Sequence, residues 1–346
     1  MLRSTILSRL AATSGPAAAS RRYLRPVPSL ISLRSLFGLA LLYSLHLAAP
    51  RYSHAQTIVK PRPHHVNNAA SVELPFKLVA GLIVLPQLTL NGQRGDFVLD
   101  TGCTYDVVVE QAAFPKSQLH LSAKQGLSAA GTITLYELPI TQFAWVTRHD
   151  QPAVAVATSL AAIRAVVGPQ LLGLIGTGLL RHYEVVLDYA HRRLRLYPLD
   201  SPSSARPFTR RDSVAFTLEK GWPIAIAFID TVPVQFLLDT GAQHNSLDVD
   251  FAQNLRVGTR PTGTQRETLL APGGRVVARR ATLPVLQVGT SEWRNIPLVL
   301  VPPVQYQSGH ALPYQGVLGE SFLSQEPLVS FHFGRRQFYF LTPRKP

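Results

Sequence analysis

Residues 88–103 read Leu-Thr-Leu-Asn-Gly-Gln-Arg-Gly-Asp-Phe-Val-Leu-Asp-Thr-Gly-Cys, and residues 227–242 read Ala-Phe-Ile-Asp-Thr-Val-Pro-Val-Gln-Phe-Leu-Leu-Asp-Thr-Gly-Ala. Each stretch reads as a strand, a turn, a second strand and then Asp-Thr-Gly. Asn91-Gly92 is a strong hairpin signal, because both residues tolerate the positive φ of a two-residue turn between twisted strands. In the second copy the turn falls in the region Asp230-Thr231-Val232-Pro233. The Phe-Val-Leu and Phe-Leu-Leu runs ahead of the aspartates are short, apolar and bounded by polar residues, as buried strands are. The chain therefore contains a repeat at a spacing of about 140 residues, and the repeat organises the rest of the reading.

The copies match again downstream. Gly173-Leu174-Ile175-Gly176 lies 73 residues after Asp100, and Gly316-Val317-Leu318-Gly319 lies 77 residues after Asp239. Each string is followed by a further strand, a basic turn (Arg192-Arg193, Arg335-Arg336) and a last strand. Between the markers each copy has a glycine-bearing segment in strand-like sequence, Gly126 to Gly131 and Pro272-Gly273-Gly274, and both suit hairpin tips. Tyr197 to Pro207, rich in Pro and Ser, separates the copies. The expected organisation is a first lobe over 72–200, a linker over 201–207 and a second lobe over 208–346. Lobes of this length can each bury a core. Helical periodicity is scarce, with short helical turns expected at Thr177 and Glu320.

Composition narrows the function. Of 346 residues, 46% are hydrophobic and 16% charged, which excludes a disordered chain. Cys103 is the only cysteine, which excludes an intramolecular disulfide framework and any multi-cysteine metal site. The formal charge of +14 suggests nucleic acid until it is localised. Seven arginines and no acidic residue fall in the first 55 residues, leaving 27 basic against 20 acidic residues in the remainder. Those remaining charges occur as scattered Arg pairs without interleaved aromatic platforms, so no nucleic-acid groove is expected. The N-terminus runs from a basic stretch ending at Arg34, through uncharged residues 35–50, to Ser53-His54-Ala55, the order of an export signal. Residues 1–55 are read as a signal peptide cleaved after Ala55. The rival is an N-terminal anchor through residues 35–50, short for a bilayer span of about 20 residues. Residues 56–71 read as an extended linker, and its His64-His65 pair has no third ligand nearby to hold a metal.

With both copies in view, the chain resembles the retropepsin-like aspartic proteases of the pepsin clan, in a tandem single-chain form. The resemblance rests on Asp-Thr-Gly at 100–102 and 239–241, the aliphatic doublets before them, and the signatures Leu174-Ile175-Gly176 and Val317-Leu318-Gly319. It covers about residues 72–342. It implies an all-β fold of two similar lobes related by a pseudo-twofold axis, with the active-site cleft between them. It assigns Asp100 and Asp239 as the catalytic pair and Thr101, Gly102, Thr240 and Gly241 as active-site loop support. It assigns Ser128, Ala129, Ala130 and Gly131, and Ala271, Gly273 and Gly274, to two flaps over the substrate. Ile175, Gly176, Leu318 and Gly319 would pack beneath the catalytic loops. The chemistry agrees independently: two adjacent carboxylates cannot both ionise cheaply, so the pair holds one shared proton and serves as acid and base at once.

The implied activity is peptide-bond hydrolysis by an exported endopeptidase, periplasmic or extracellular. It needs no cofactor or metal, acts on a polypeptide substrate, and contacts a membrane only transiently through its N-terminal segment. Each lobe supplies one aspartate, so a monomer suffices. The alternatives are a catalytically silent peptide-binding protein on the same fold, and a swapped dimer. Cys103 stands where Ser or Ala is usual. It reads as a small core residue, or alternatively as a thiol that reports oxidation beside the pair. Pro272 sets the second flap apart from the first in mobility. His182, His191, His244 and His332 show no metal-ligand spacing. His244, near Asp239 in sequence, is expected to be an exposed polar residue rather than one that tunes pH dependence, His332 to mark divergence at a turn, and Asp106 to be a surface or turn carboxylate rather than a third catalytic acid. No Gly-x-Ser-x-Gly elbow and no phosphate-binding Gly-rich loop is present.

Overall fold

The computed structural model describes residues 71–145, 152–200, 206–302 and 312–344, all within the compact unit His64–Pro346. The expected signal or anchor over 1–55, nearly all of the linker 56–71 and most of the linker 201–207 lie outside the described residues. Among the described residues no helix is long and apolar enough to cross a membrane.

The fold is all-β, with a few short helices set between strands of two sheets. The eight-stranded sheet belongs to the first copy and runs in the order 77–79, 82–90, 93–100, 171–176, 107–110, 154–158, 131–139, 120–128. The thirteen-stranded sheet contains the corresponding strands of the second copy, together with a platform to which both copies contribute. In that platform Val72–Pro75, Arg193–Pro198 and Tyr183–Asp188 come from the first copy. Leu328–His332, Gln337–Pro343 and Phe208–Glu219 come from the second. The copies join where Tyr183–Asp188 runs antiparallel to Leu328–His332, with Val186 opposite Ser330.

Local chemistry explains the element ends. Asn91 and Gly92 both have positive φ, as the hairpin signal requires, and Asp230 takes the same conformation at the matching turn. Arg192 and Arg336 occupy matching left-handed positions in the basic turns. Short helices start at Thr177 and Glu320 as expected, whereas the helix Ala161–Val167 carries no sequence-level signal. One apolar core runs through both copies and includes Leu85, Phe97 and Leu99 of the first and Phe236, Leu238 and Phe340 of the second.

His332 is not a turn residue. It ends the buried strand Leu328–His332, opposite Glu184. Burial and the positive charges of Arg206, Arg335 and Arg210 pull its pKa down to about 4. Beside it, the buried Arg206–Glu184 pair (2.6 Å) and the Ser330 hydroxyl donating to Glu184 (2.9 Å) form a polar cluster on the seam.

Candidate active site

Asp100 ends the strand Gln93–Asp100, and Asp239 follows the strand Val232–Leu238. Each strand runs parallel to the strand bearing its copy's glycine signature, with Leu99 opposite Ile175, Asp100 opposite Gly176, and Leu238 opposite Leu318. The aliphatic residues at these positions are buried, so each aspartate stands at the edge of a packed, rigid platform. A Cβ on Gly176 would strike the carbonyls of Tyr105 and Cys103, and one on Gly319 those of Ala242 and His244. The signature glycines therefore lie directly against the loops that follow each Asp-Thr-Gly.

The two loops are cross-linked by their threonines. Thr101 N–H donates to Thr240 Oγ1 (3.0 Å) and Thr240 N–H to Thr101 Oγ1 (3.0 Å). The hydroxyls donate onward, Thr101 to Leu238 O (2.7 Å) and Thr240 to Leu99 O (2.8 Å). Both threonines are wholly buried, so every polar group in the exchange has left water and found a partner in the opposite copy.

This cross-link brings the aspartates together. Asp100 Oδ1 accepts from the amides of Gly102 and Cys103 (both 2.9 Å). Asp239 Oδ1 accepts from Gly241 N–H (2.8 Å) and also from Gly102 N–H (3.1 Å). A Cβ on Gly102 would collide with the Asp239 carboxylate, and one on Gly241 with that of Asp100. Glycine is needed at both places for close approach of backbone to carboxylate. Burial, and then the charge of Asp239, push the Asp100 carboxyl well above the usual carboxylate range. Burial also raises Asp239, against the pull of the Gly241 and Gly102 amides and of a hydrogen bond from Asp100. The pair favours one retained proton, and its titrations belong to the pair.

The glycine-bearing segments are hairpins whose tips meet. In the first, Ser128 pairs with Gly131 around Ala129-Ala130; in the second, Ala271 pairs with Gly274 around Pro272-Gly273. The Ser128 hydroxyl donates to Pro272 O across the gap (2.7 Å). Gly273 sits so close to Ile133 that a Cβ there would strike its side chain, and Gly274 faces Ala130. Beneath the tips lies a cavity of about 450 Å³ lined by Asp100 and Asp239.

Several residues that line this cavity carry no motif. Trp222 Nε1 donates to Gly102 O (2.7 Å), and its ring packs edge-on against Tyr314 with centroids 5.8 Å apart. Burial, then the nearby Asp239, raise the Tyr314 phenol above its ordinary range. The signal for Trp222 was a break in the repeat, since Gly81-Leu82 in the first copy becomes Gly221-Trp222 in the second. Ile163 and Val166 reach the cavity from the unanticipated helix.

The remaining candidates fall as follows. His244 is not simply exposed: it lines the cavity and pairs with Glu267 (3.2 Å), whose carboxyl is held below the usual range chiefly by Arg280. Asp106 braces the first loop through its carbonyl, which accepts from Gly176 N–H (3.0 Å). Cys103 packs beside the aliphatic cluster of Val98 and Leu174, and burial followed by the charge of Asp100 push its thiol up. The Cys103 carbonyl accepts from the amide (2.7 Å) and hydroxyl (3.0 Å) of Thr177, which ties the first loop to the helix after Gly176.

No curated protein matches the chain. Among solved structures, a retropepsin-like aspartic protease from Rickettsia conorii is similar at 21% identity and a TM-score of 0.26, over 39% of this chain and 95% of that one. Residues 226–325, which include the second Asp-Thr-Gly and the Gly319 signature, match the family model described as "gag-polyprotein putative aspartyl protease".

Proposed function

We propose that the chain is an exported aspartic endopeptidase that hydrolyses peptide bonds with one aspartate from each copy. The observation that carries the reading is the Gly102 amide shared between Asp100 and Asp239, which sets two half-buried carboxylates around a single site. In this reading the pair shares one proton, and with that proton on Asp100 the base is Asp239. Asp239 takes a proton from a bound water, whose oxygen attacks the substrate carbonyl carbon. Asp100 gives its proton to the carbonyl oxygen, forming a tetrahedral diol without a covalent enzyme intermediate. Collapse returns a diol proton to Asp100, breaks the C–N bond and sends the proton held by Asp239 to the departing amine. The hairpins close over an extended peptide and hold it by backbone hydrogen bonds, which keeps bulk water from the site. A single chain completes the site, so the active form is a monomer. Residues 1–55 direct export, or residues 35–50 tether the chain to a membrane.

The test is cleavage of a mixed peptide library by the full-length chain between pH 3 and 8, beside Asp100→Asn and Asp239→Asn. Cleavage abolished by each substitution supports the shared pair. Cleavage that survives either one overturns it. No cleavage at any pH by a folded monomer assigns the cleft to peptide binding instead.

A further inference from the structure

The two copies contribute unlike residues to the cleft. The first copy lines the cavity with the aliphatic Leu82, Val98, Val108, Val156, Ile163 and Leu174, and with one aromatic ring, Tyr105. The second copy also lines it with aliphatic Leu237, Val299 and Val317, but adds Trp222, Tyr314, Ser246, Thr268 and Gln315. The strand pairings make Ser246 the counterpart of Val108, while Val299 and Val317 keep the aliphatic character of Val156 and Leu174. Val108 pairs with Val156 and Leu174, and Ser246 pairs with Val299 and Val317. Leu82 follows the left-handed Gly81, and Trp222 follows the left-handed Gly221.

The indole is also held differently from the leucine it replaces. Its N–H is committed to the Gly102 carbonyl at 2.7 Å, and the N–H of Gly102 donates to both aspartates. The ring is thereby fixed relative to the carboxylates, and Tyr314 fixes it from the other side at an interplanar angle of 83°. Leu82 has no polar atom with which to make such a link. A preset aromatic corner favours a flat ring, which can stack or meet an edge, over a branched chain. The aliphatic remainder of the lining favours a branched side chain by ordinary burial.

We propose that Trp222 determines specificity by breaking the twofold symmetry of the cleft. Resting on the peptidase reading, this assigns the substrate as a polypeptide segment with a branched aliphatic residue on one side of the scissile bond and an aromatic residue on the other. It also fixes the direction in which the chain lies across the aspartates, a choice that a symmetric cleft would leave open.

Two peptides test the assignment, each with a hydroxyethylene group replacing the scissile amide. One carries Leu before and Phe after the isostere, and the other carries the reverse order. Calorimetry gives their Kd for the full-length chain, for Trp222→Leu, for Trp222→Phe and for Tyr314→Leu. The wild type is expected to bind one order about tenfold more tightly than the other. Trp222→Leu, which restores at this position the leucine of the first copy, is expected to bring the ratio within about twofold. Trp222→Phe is expected to keep part of it. Tyr314→Leu leaves the bond to Gly102 in place, so it reads the aromatic corner even if Trp222→Leu folds poorly, and it too is expected to reduce the ratio. Binding of both peptides by the wild type without discrimination, or discrimination unchanged in both leucine variants, overturns the role of Trp222 and leaves the peptidase reading standing. Binding of neither peptide overturns both.

Discussion

The amide of Gly102 donates across the molecule to Asp239 Oδ1 at 3.1 Å while also donating to Asp100 Oδ1 at 2.9 Å within its own loop. One backbone N–H thus fixes the separation of two carboxylates carried by different copies of the repeat. There is no space for a side chain at this point, because a Cβ on Gly102 would overlap the Asp239 carboxylate. Gly102→Ala must push the aspartates apart. A displacement near 1 Å at reacting groups lowers rates by about 100-fold. Peptide-cleavage kinetics are expected to show a fall of at least that size in kcat with the fold retained by circular dichroism. Near-wild-type kcat would show that the shared amide does not set the geometry.

The threonine exchange predicts a stability effect with a particular form. Thr101→Val keeps the shape but leaves Thr240 N–H and Leu238 O without their partner. Thr240→Val does the same to Thr101 N–H and Leu99 O. Each buried orphan group costs about 1–3 kcal/mol. The four bonds belong to one contacting network, so loss of either hydroxyl is expected to loosen the loop that the other holds, and the double variant should lose less than the sum of the single losses. Urea unfolding of the two single variants and the double variant measures this, and strict additivity would contradict the coupling.

The contact between Ser128 and Pro272 predicts asymmetric control of access. The Ser128 hydroxyl bonds the opposite hairpin, and the second hairpin has only Pro272 and Gly273 at its tip to answer it. Ser128→Ala removes the hydroxyl's bond to the opposite hairpin, worth about 0.5–1.5 kcal/mol, together with its local bonds to Gly131 O and from Ala130 N–H. It should make the closed state less populated and raise the KM of an extended peptide several-fold. Amide hydrogen exchange at the tips should quicken while the strands beneath stay protected. Unchanged exchange at both tips would show that the hydroxyl does not hold them together.

Much of this arrangement was legible before any coordinates. The doublets Val98-Leu99 and Leu237-Leu238, the Asp-Thr-Gly strings and the glycine signatures are local patterns repeated in order, and repetition makes weak motifs specific. Asn91-Gly92 marked its turn because few other pairs accept that backbone. Trp222 and Tyr314 carry no motif, and Glu320 is marked only as a helix start, because their roles depend on what lies opposite them across the cleft or the seam. His244 and His332 were misjudged for the same reason: Glu267 and Glu184 are distant in sequence and adjacent in space. The helix Ala161–Val167 is two turns long and follows a Leu rather than a capping side chain, so neither periodicity nor an N-cap marked it.

Glu320 predicts how stability depends on pH. It is 2% exposed at the start of the helix after Gly319, its Oε1 lies 3.0 Å from the Tyr189 hydroxyl of the other copy, and its Oε2 has no partner among the described residues. Burial raises its pKa well above the ordinary value; the charge of Asp239 adds to this, while Tyr189 and Arg192 oppose it. The folded state therefore holds this proton more tightly than the unfolded chain does. The stabilisation is fully present below the unfolded pKa of about 4.3 and is lost as pH rises toward the folded value. The slope for one such group is at most about 1.4 kcal/mol per pH unit. Asp100 contributes with the same sign, because it too is raised. Glu320→Gln keeps a hydrogen-bonding group against Tyr189 and removes the proton. It should flatten part of the decline in unfolding temperature between pH about 4 and 8, and Asp100→Asn should flatten a separate part. Thermal unfolding across that range distinguishes them, and a Glu320→Gln curve parallel to the wild type would show that this carboxyl is not held protonated in the fold.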